Sequence, residues 1–372
     1  MIPVNTPLLN GKEKEYLIKA IEEGWISSEG PAVKEFEEKF AARMGRQHGI
    51  AVCNGSIALD LAVYALGIKE GDEVILPSFT IISPAAAIVR VGAKPILVDS
   101  DPLTWNIDTA RIEEKITKRT KAILVVHIYG LPTDLQPVLD LAKKYDLKVI
   151  EDAAEMHGQL YNGQPCGSFG DVSTFSFYPN KHVTTGEGGM IICNDPQLAD
   201  RCRSLRNLSF IPERRFVHHE LGWNYRFTHL QALIGLAQLE RLDEFVAIKQ
   251  RMGRLYTQLF GDLQDRVELP PAKTGYADSI YWVYGMILKD KAGMDAREVM
   301  KRLGAAGIGC RPFFYPMHLQ PVFQKMGWYG GESYPVAERM GEYGFYVPSG
   351  LALTEENMHE VSRAVHAVLA KN

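Results

Sequence analysis

Cysteine is scarce in this chain. Only five occur among 372 residues, Cys53, Cys166, Cys193, Cys202 and Cys310. They are odd in number and scattered, and none form a Cys-x-x-Cys pair. This excludes a disulfide framework and a zinc-binding signature, and a reducing cytoplasm is the expected compartment. Long apolar runs are also missing: none approaches the ~20 residues that cross a bilayer, so no membrane association is expected. The opening Met1-Ile2-Pro3-Val4-Asn5 lacks the basic-then-apolar pattern of a secretory leader. Nor is there an excess of positive charge. Lys and Arg number 41 against 45 Asp and Glu, a formal net charge of -4, which argues against a nucleic-acid partner. Repeats and low-complexity tracts are absent as well, and no metal site is expected.

What is present is an ordinary globular composition in a chain too long for one simple core, so a large domain and a smaller one are expected. Between about residues 50 and 200, short apolar runs alternate with helical patterns. Expected strands are Glu73–Leu76, Pro95–Val98, Ala122–Val126, Leu147–Ile150, Val172–Ser176 and Met190–Cys193. Between several of them lie expected helices at Ser56–Leu66, Ser83–Val91, Asp108–Ile116 and Asp134–Lys144. This alternation predicts an α/β fold with a mostly parallel sheet covered on both faces. After Leu242 the texture changes. A helical stretch runs from Thr228 to about Gly261. It is followed by Tyr281-Trp282-Val283-Tyr284, read as a strand, and by helices near Ala296–Ala305 and Glu355–Leu369. The expected division is a large domain over 1–242, including the N-terminal segment, and a small C-terminal α/β domain over 243–372.

Three local patterns carry chemistry. In Ser176-Phe177-Tyr178-Pro179-Asn180-Lys181 a single lysine sits in a turn after an apolar strand and ahead of Gly186-Glu187-Gly188-Gly189. Desolvation at a strand end lowers a lysine's pKa and makes the amine nucleophilic, as Schiff-base chemistry needs. A surface lysine in a glycine-rich loop has the same local look. In Glu151-Asp152-Ala153-Ala154-Glu155 a carboxylate at a strand end can pair with a pyridinium nitrogen, though Asp before Ala-Ala also suits a helix N-cap. In Asn54-Gly55-Ser56 a turn opens a helix whose free N–H groups suit a phosphate, to which Ser176 could add a hydroxyl. A plain capped helix reads the same way. His127 follows a strand end and suits either a substrate contact or a structural hydrogen bond.

These patterns, in this order, resemble the DegT/DnrJ/StrS sugar aminotransferases, a group of fold-type I enzymes dependent on pyridoxal 5'-phosphate (PLP). The resemblance spans nearly the whole chain. It includes Gly24-Trp25-Ile26-Ser27-Ser28, Gly222-Trp223-Asn224-Tyr225-Arg226 and Arg311-Pro312-Phe313-Phe314-Tyr315-Pro316-Met317-His318. The resemblance implies Lys181 as the Schiff-base lysine and proton shuttle, with Asp152 on the pyridine nitrogen and Glu155 near the ring hydroxyl. Gly55, Ser56 and Ser176 would hold the phosphate. Asn224 would reach the phosphate of the neighbouring subunit's cofactor across a homodimer. Trp25, Ser27, Arg311 and His318 match stretches near the sugar nucleotide. The perosamine-forming branch is the most similar, which implies glutamate as amino donor and GDP-4-keto-6-deoxymannose as acceptor. Two departures stand out. Ile81 occupies a place where many relatives stack an aromatic on the cofactor, and His182 follows the lysine directly. The alternatives are a PLP-dependent sugar 3-dehydratase, or a non-enzymatic regulator on the same fold.

Overall fold

Two sheets organise the chain in the computed structural model, which describes residues 1–211 and 213–370. The first contains β1 (His48–Val52), β2 (Glu73–Pro77), β3 (Lys94–Val98), β4 (Thr120–Val126) and β5 (Lys148–Asp152). After a small hairpin of β6 (Leu160–Tyr161) and β7 (Gln164–Pro165), it is completed by β8 (Val172–Ser176) and β9 (Gly189–Cys193). The order across the sheet is β1-β9-β8-β5-β4-β2-β3. The pairs from β3 to β8 are parallel, and β9 runs antiparallel to both of its neighbours.

The apolar runs of the strands supply both faces at once, because successive side chains point to opposite sides. In β4, Ala122, Leu124 and Val126 join one core, while Ile123 and Val125 join the other. The chain's helices in order are α1 (Glu13–Glu23), α2 (Pro31–Arg43), α3 (Gly55–Ala65), α4 (Ile82–Arg90), α5 (Leu135–Tyr145), α6 (Pro196–Arg206), α7 (His229–Leu239) and α8 (Leu242–Leu259). Leu59 and Leu61 of α3, Ile88 of α4 and Leu198 of α6 fill the first core. Phe36 and Phe40 of α2, Val138 of α5 and Leu236 of α7 fill the second. Phe40 is fully buried, with ring centroids of Phe175 at 4.9 Å and Phe177 at 5.1 Å, both edge-on.

The second sheet, β10 (Val267–Glu268), β11 (Tyr284–Leu288), β12 (Arg311–Pro312) and β13 (Gly344–Val347), is antiparallel, in the order β10-β11-β13-β12. Of the later helices, α9 (Ala296–Ala305), α10 (Pro321–Lys325), α11 (Pro335–Tyr343) and α12 (Glu355–Ala370), α9 and α12 join α8 in a third core. We propose a division between two domains near residue 242, where α8 begins. Ile2 bridges to Ile308 and sits in the third core.

Several departures have local reasons. β1 is an edge strand that the alternating pattern did not flag. Residues 108–116 form two 3-10 turns rather than a helix. Only Ile112 is buried there, too little apolar surface to hold a helical face. The stretch 228–261 is two helices broken at Glu240-Arg241; the second begins on the second core with Leu242 and passes to the third at Met252 and Tyr256. All five cysteines carry free thiols. Among the described residues no helix is long and apolar enough to cross a membrane.

Phe40→Ala would open the aromatic cluster and should cost about 3–5 kcal/mol in urea denaturation. A loss under about 1 kcal/mol would show that this cluster does not carry the second core.

Candidate active site

The carboxyl ends of β4, β5 and β8 and the start of α3 face one cavity of about 830 Å³. Gly55, Ser56, Asp152, Glu155, Ser176 and Lys181 all line it. Each arrives by its place in the sheet. Asp152 ends β5 and pairs in register with Val126 and Thr174. Ser176 ends β8, and Lys181 follows in the turn after it.

Two adjacent acids at the end of β5 have opposite fates. Glu151 is fully buried and saturated. Its carboxylate accepts from Gly167 N–H at 2.6 Å, Phe169 N–H at 3.1 Å and the Ser173 hydroxyl at 2.9 Å, and it lies 3.0 Å from His127 Nε2. His127 Nδ1 accepts from Thr133 N–H at 3.0 Å, so its other nitrogen carries the proton toward Glu151. Cys166 lies close to this pair. The carboxylate is already used and burial keeps the thiol far above its usual pKa, so Cys166 packs beside a hydrogen-bonded Glu151–His127 pair in the core. Asp152, in contrast, accepts only from Ala154 N–H at 3.1 Å and otherwise faces the cavity.

The amine of Lys181 lies 3.8 Å from Glu155 Oε1 and 3.8 Å above the centroid of the Trp282 ring. Its side chain is only 10% exposed. Burial drives Lys181, Asp152 and Glu155 toward their neutral forms. It lowers the pKa of Lys181, although Glu155 and Asp152 pull the other way. Burial also raises Asp152 to about 6 and Glu155 to about 8, each partly offset by a backbone N–H and by the charge of Lys181. For Glu155 that N–H is Tyr129's, at 2.7 Å.

At the opposite wall Asn54 caps α3, its side chain accepting from Ile57 N–H at 3.0 Å. The N–H groups of Gly55 and Ser56 are left for a ligand. A Cβ on Gly55 would stand 2.7 Å from Ser176 Cβ, so glycine is required for α3 to approach β8 this closely. The Ser56 and Ser83 hydroxyls meet at 2.8 Å. Thr80 and Asn180, both in the cavity wall, and neighbouring Thr174 each hold a buried side-chain oxygen with no protein partner.

A profile of the DegT/DnrJ/EryC1/StrS aminotransferase family matches residues 7–366. The chain belongs to this family. It is 44% identical over 369 residues to the GDP-perosamine synthase of Caulobacter vibrioides, covering 99% of this chain and 98% of that one. It is 40% identical over 365 residues to the GDP-perosamine synthase of Escherichia coli O157:H7, covering 98% of each. The solved aminotransferase TlmJ from Streptoalloteichus hindustanus superposes with a TM-score of 0.91 at 32% identity, covering 100% of this chain and 99% of that one. The family is PLP-dependent, and its solved members include a PLP form. The cavity fits that cofactor. It offers a phosphate cradle at Gly55 and Ser56, an amine at Lys181, a carboxylate at Asp152, and unpartnered oxygens along the wall.

The remaining expected residues do not line the cavity. Asn224 is exposed, on a segment bridged to Asn207. Trp25 and Ser27 are exposed between α1 and α2. Arg311 is exposed on β12, opposite Tyr346, which does line the cavity. His318 is 2% exposed, with Nδ1 3.0 Å from the Ser78 hydroxyl and Nε2 3.0 Å from Glu338. Ile81 lines the cavity with half its surface free, an aliphatic wall as the sequence reading had it. His182 is buried and turned to a small void beside Lys249, away from the main cavity. Sequence reasoning missed Trp282, Phe314 and Tyr346 in the wall. Tyr281-Trp282-Val283-Tyr284 had read as a strand, but β11 starts only at Tyr284.

The raised pKa of Glu155 has a measurable consequence. Between its unfolded value, about 4.3, and about 8, the folded protein binds more protons than the unfolded chain, so stability falls as pH rises through that window. In cofactor-free protein, Glu155→Gln should therefore gain in Tm over the parent as pH goes from 5 to 8. An equal difference at both pH values would contradict a buried ionisable carboxyl.

Proposed function

We propose that this chain is a PLP-dependent aminotransferase that moves an amino group from glutamate to C4 of a nucleotide-linked 4-keto-6-deoxy sugar, GDP-4-keto-6-deoxymannose. The observation that carries this reading is the desolvated Lys181 amine held between Asp152 and Glu155 in a cavity of ligand size. The GDP sugar follows the named activity of the perosamine-forming relatives.

PLP, when bound, supplies an aldehyde for the amine and an electron-withdrawing ring that acidifies the adjacent carbon. The side chains do the rest. Lys181 Nζ, its pKa lowered by burial, gives up its proton readily, takes one from the substrate carbon and returns one at the end of the transfer. Asp152 would hold a positive charge on the ring nitrogen, since a cation beside a buried carboxyl favours its ionised form. Glu155, its pKa raised by burial to about 8, could donate a hydrogen bond to the ring oxygen. The first N–H groups of α3 and the hydroxyls of Ser56 and Ser176 would hold the phosphate. Glu151 and His127 keep the end of β5 rigid beneath Asp152.

Exposed Asn224 suits a shared site in a homodimer, reaching the partner's cofactor phosphate. Exposed Trp25, Ser27 and Arg311 suit the sugar nucleotide at the cavity mouth. The working compartment is the cytoplasm.

Incubation with glutamate and a panel of nucleotide 4-keto sugars, read by mass spectrometry, should give an amino sugar from the GDP-linked member. A product that has lost the C3 hydroxyl without gaining nitrogen would establish a dehydratase instead. Borohydride should fix the cofactor's mass on the Lys181 peptide. Lys181→Ala should lose turnover by at least about 10²–10⁴-fold, the share of a positioned proton-transfer group. Activity retained in that variant would overturn the assignment.

A further inference from the structure

We propose that Trp282 is a positioning residue for Lys181, its indole face fixing the amine and holding it when it carries a proton. The inference rests on the reading of Lys181 as the reactive amine, and adds a group outside the patterns that led to it.

The geometry is direct. Nζ stands 3.8 Å above the indole centroid, well within cation–π range. Glu155, the nearest carboxyl group, is also 3.8 Å away. The ring is therefore as close a partner for the ammonium as any anion in the site.

The indole is held from several sides. Its Nε1–H donates to the Asn180 carbonyl at 2.7 Å, one residue before Lys181 itself. Its own carbonyl accepts from Lys249 Nζ at 2.7 Å. Lys249 is buried on α8, has no carboxylate partner among the described residues and also donates to the Ser349 carbonyl. The Tyr129 ring stacks on the indole at 6.0 Å. Next to it the Ile280 N–H donates to the Gly130 carbonyl at 3.0 Å. Gly130 has φ +104°, and a Cβ there would stand 2.5 Å from Trp282 N. Tyr129 and Tyr281 both hold left-handed backbone, at φ 57° and 48°. Non-glycine residues in that region mark places where the surroundings over-determine a strained conformation, often at active sites. Here two such tyrosines flank one ring, and that ring lies under one amine.

The other groups around Lys181 define what the ring must do. Asp152 and Glu155 favour the ammonium, and burial opposes it. His157 and His182 are both kept neutral by burial, and Lys249 faces His182. Both carboxyls are themselves drawn toward protonation by burial, so the indole quadrupole adds stabilisation for the ammonium without adding a competing base.

The test reads Lys181 in the cofactor-free protein. Trace labelling with acetic anhydride across pH, followed by peptide mass spectrometry, gives the titration midpoint of this one amine. Trp282→Leu should lower the midpoint by about one pH unit, because the ammonium loses a favourable contact. Trp282→Phe should fall between it and the parent. A second measurement needs no change of shape. Biosynthetic incorporation of 5-fluoro- and then 5,7-difluorotryptophan weakens the negative face of the ring, and the midpoint should fall stepwise. A ring that only fills space would leave the fluorinated proteins unchanged, and that result, or an unmoved or raised midpoint in Trp282→Leu, overturns the proposal. Failure of the underlying reading shows separately, as a borohydride-fixed cofactor mass on a peptide other than that of Lys181.

Discussion

A lysine amine is a strongly hydrated charge, and removing it from water is unfavourable unless something replaces the water. Around Lys181 the replacement is a pair of carboxyl groups and an aromatic face, all of them buried too. The arrangement leaves each group short of full compensation. Asp152 and Glu155 are pushed toward protonation, to about 6 and about 8, and Lys181 toward the free amine, so the two carboxyls titrate closer to neutrality and the lysine holds its proton less tightly than one at the surface. Reactivity in this site is thus a property of burial, and the architecture is what makes burial possible.

The sheet supplies that burial by convergence. Asp152, Ser176 and the turn to Lys181 come from neighbouring strands, while Gly55 arrives from the far edge, where β1 lies against β9. Ligands gather at such strand ends because the polar chain ends meet there above a closed apolar floor. The alternation of a strand also separates two adjacent acids. Glu151 is spent on four hydrogen bonds and holds its surroundings still; Asp152, one residue on, is left nearly unpartnered for a ligand. A rigid neighbour beneath a poised one is the economy expected of a preorganised site.

The C-terminal unit is more than a support. Trp282, Phe314 and Tyr346 reach the cavity from it, so the site is closed by residues more than 100 positions from Lys181 in sequence. Lys249 ties α8 to the backbone of both Trp282 and Ser349. Burial lowers its pKa to about 7. Its placement links the seam between the two sheets to the floor of the active site.

Most of the large sheet was legible in the chain itself. A buried parallel strand must be apolar on both faces, and that requirement leaves a continuous run such as Ala122–Val126 that no other element needs. Lys181, Asp152, Glu155 and the Gly55-Ser56 turn were legible for a similar reason, since each sits immediately after such a run or opens a helix. Other features depended on contacts between distant segments and carried no local mark. The partners of His318, Ser78 and Glu338, lie far from it in sequence or on another element, and the passage of 228–261 from the second core to the third has no local signature. Trp282 looked like strand because an aromatic run satisfies strand preference wherever it falls. Only packing against Gly130, Asn180 and Lys249 turned its ring under the amine. Local pattern determines which segments become strands and which polar groups end them; proximity between segments, and so the burial that tunes those groups, exists only once the chain has folded.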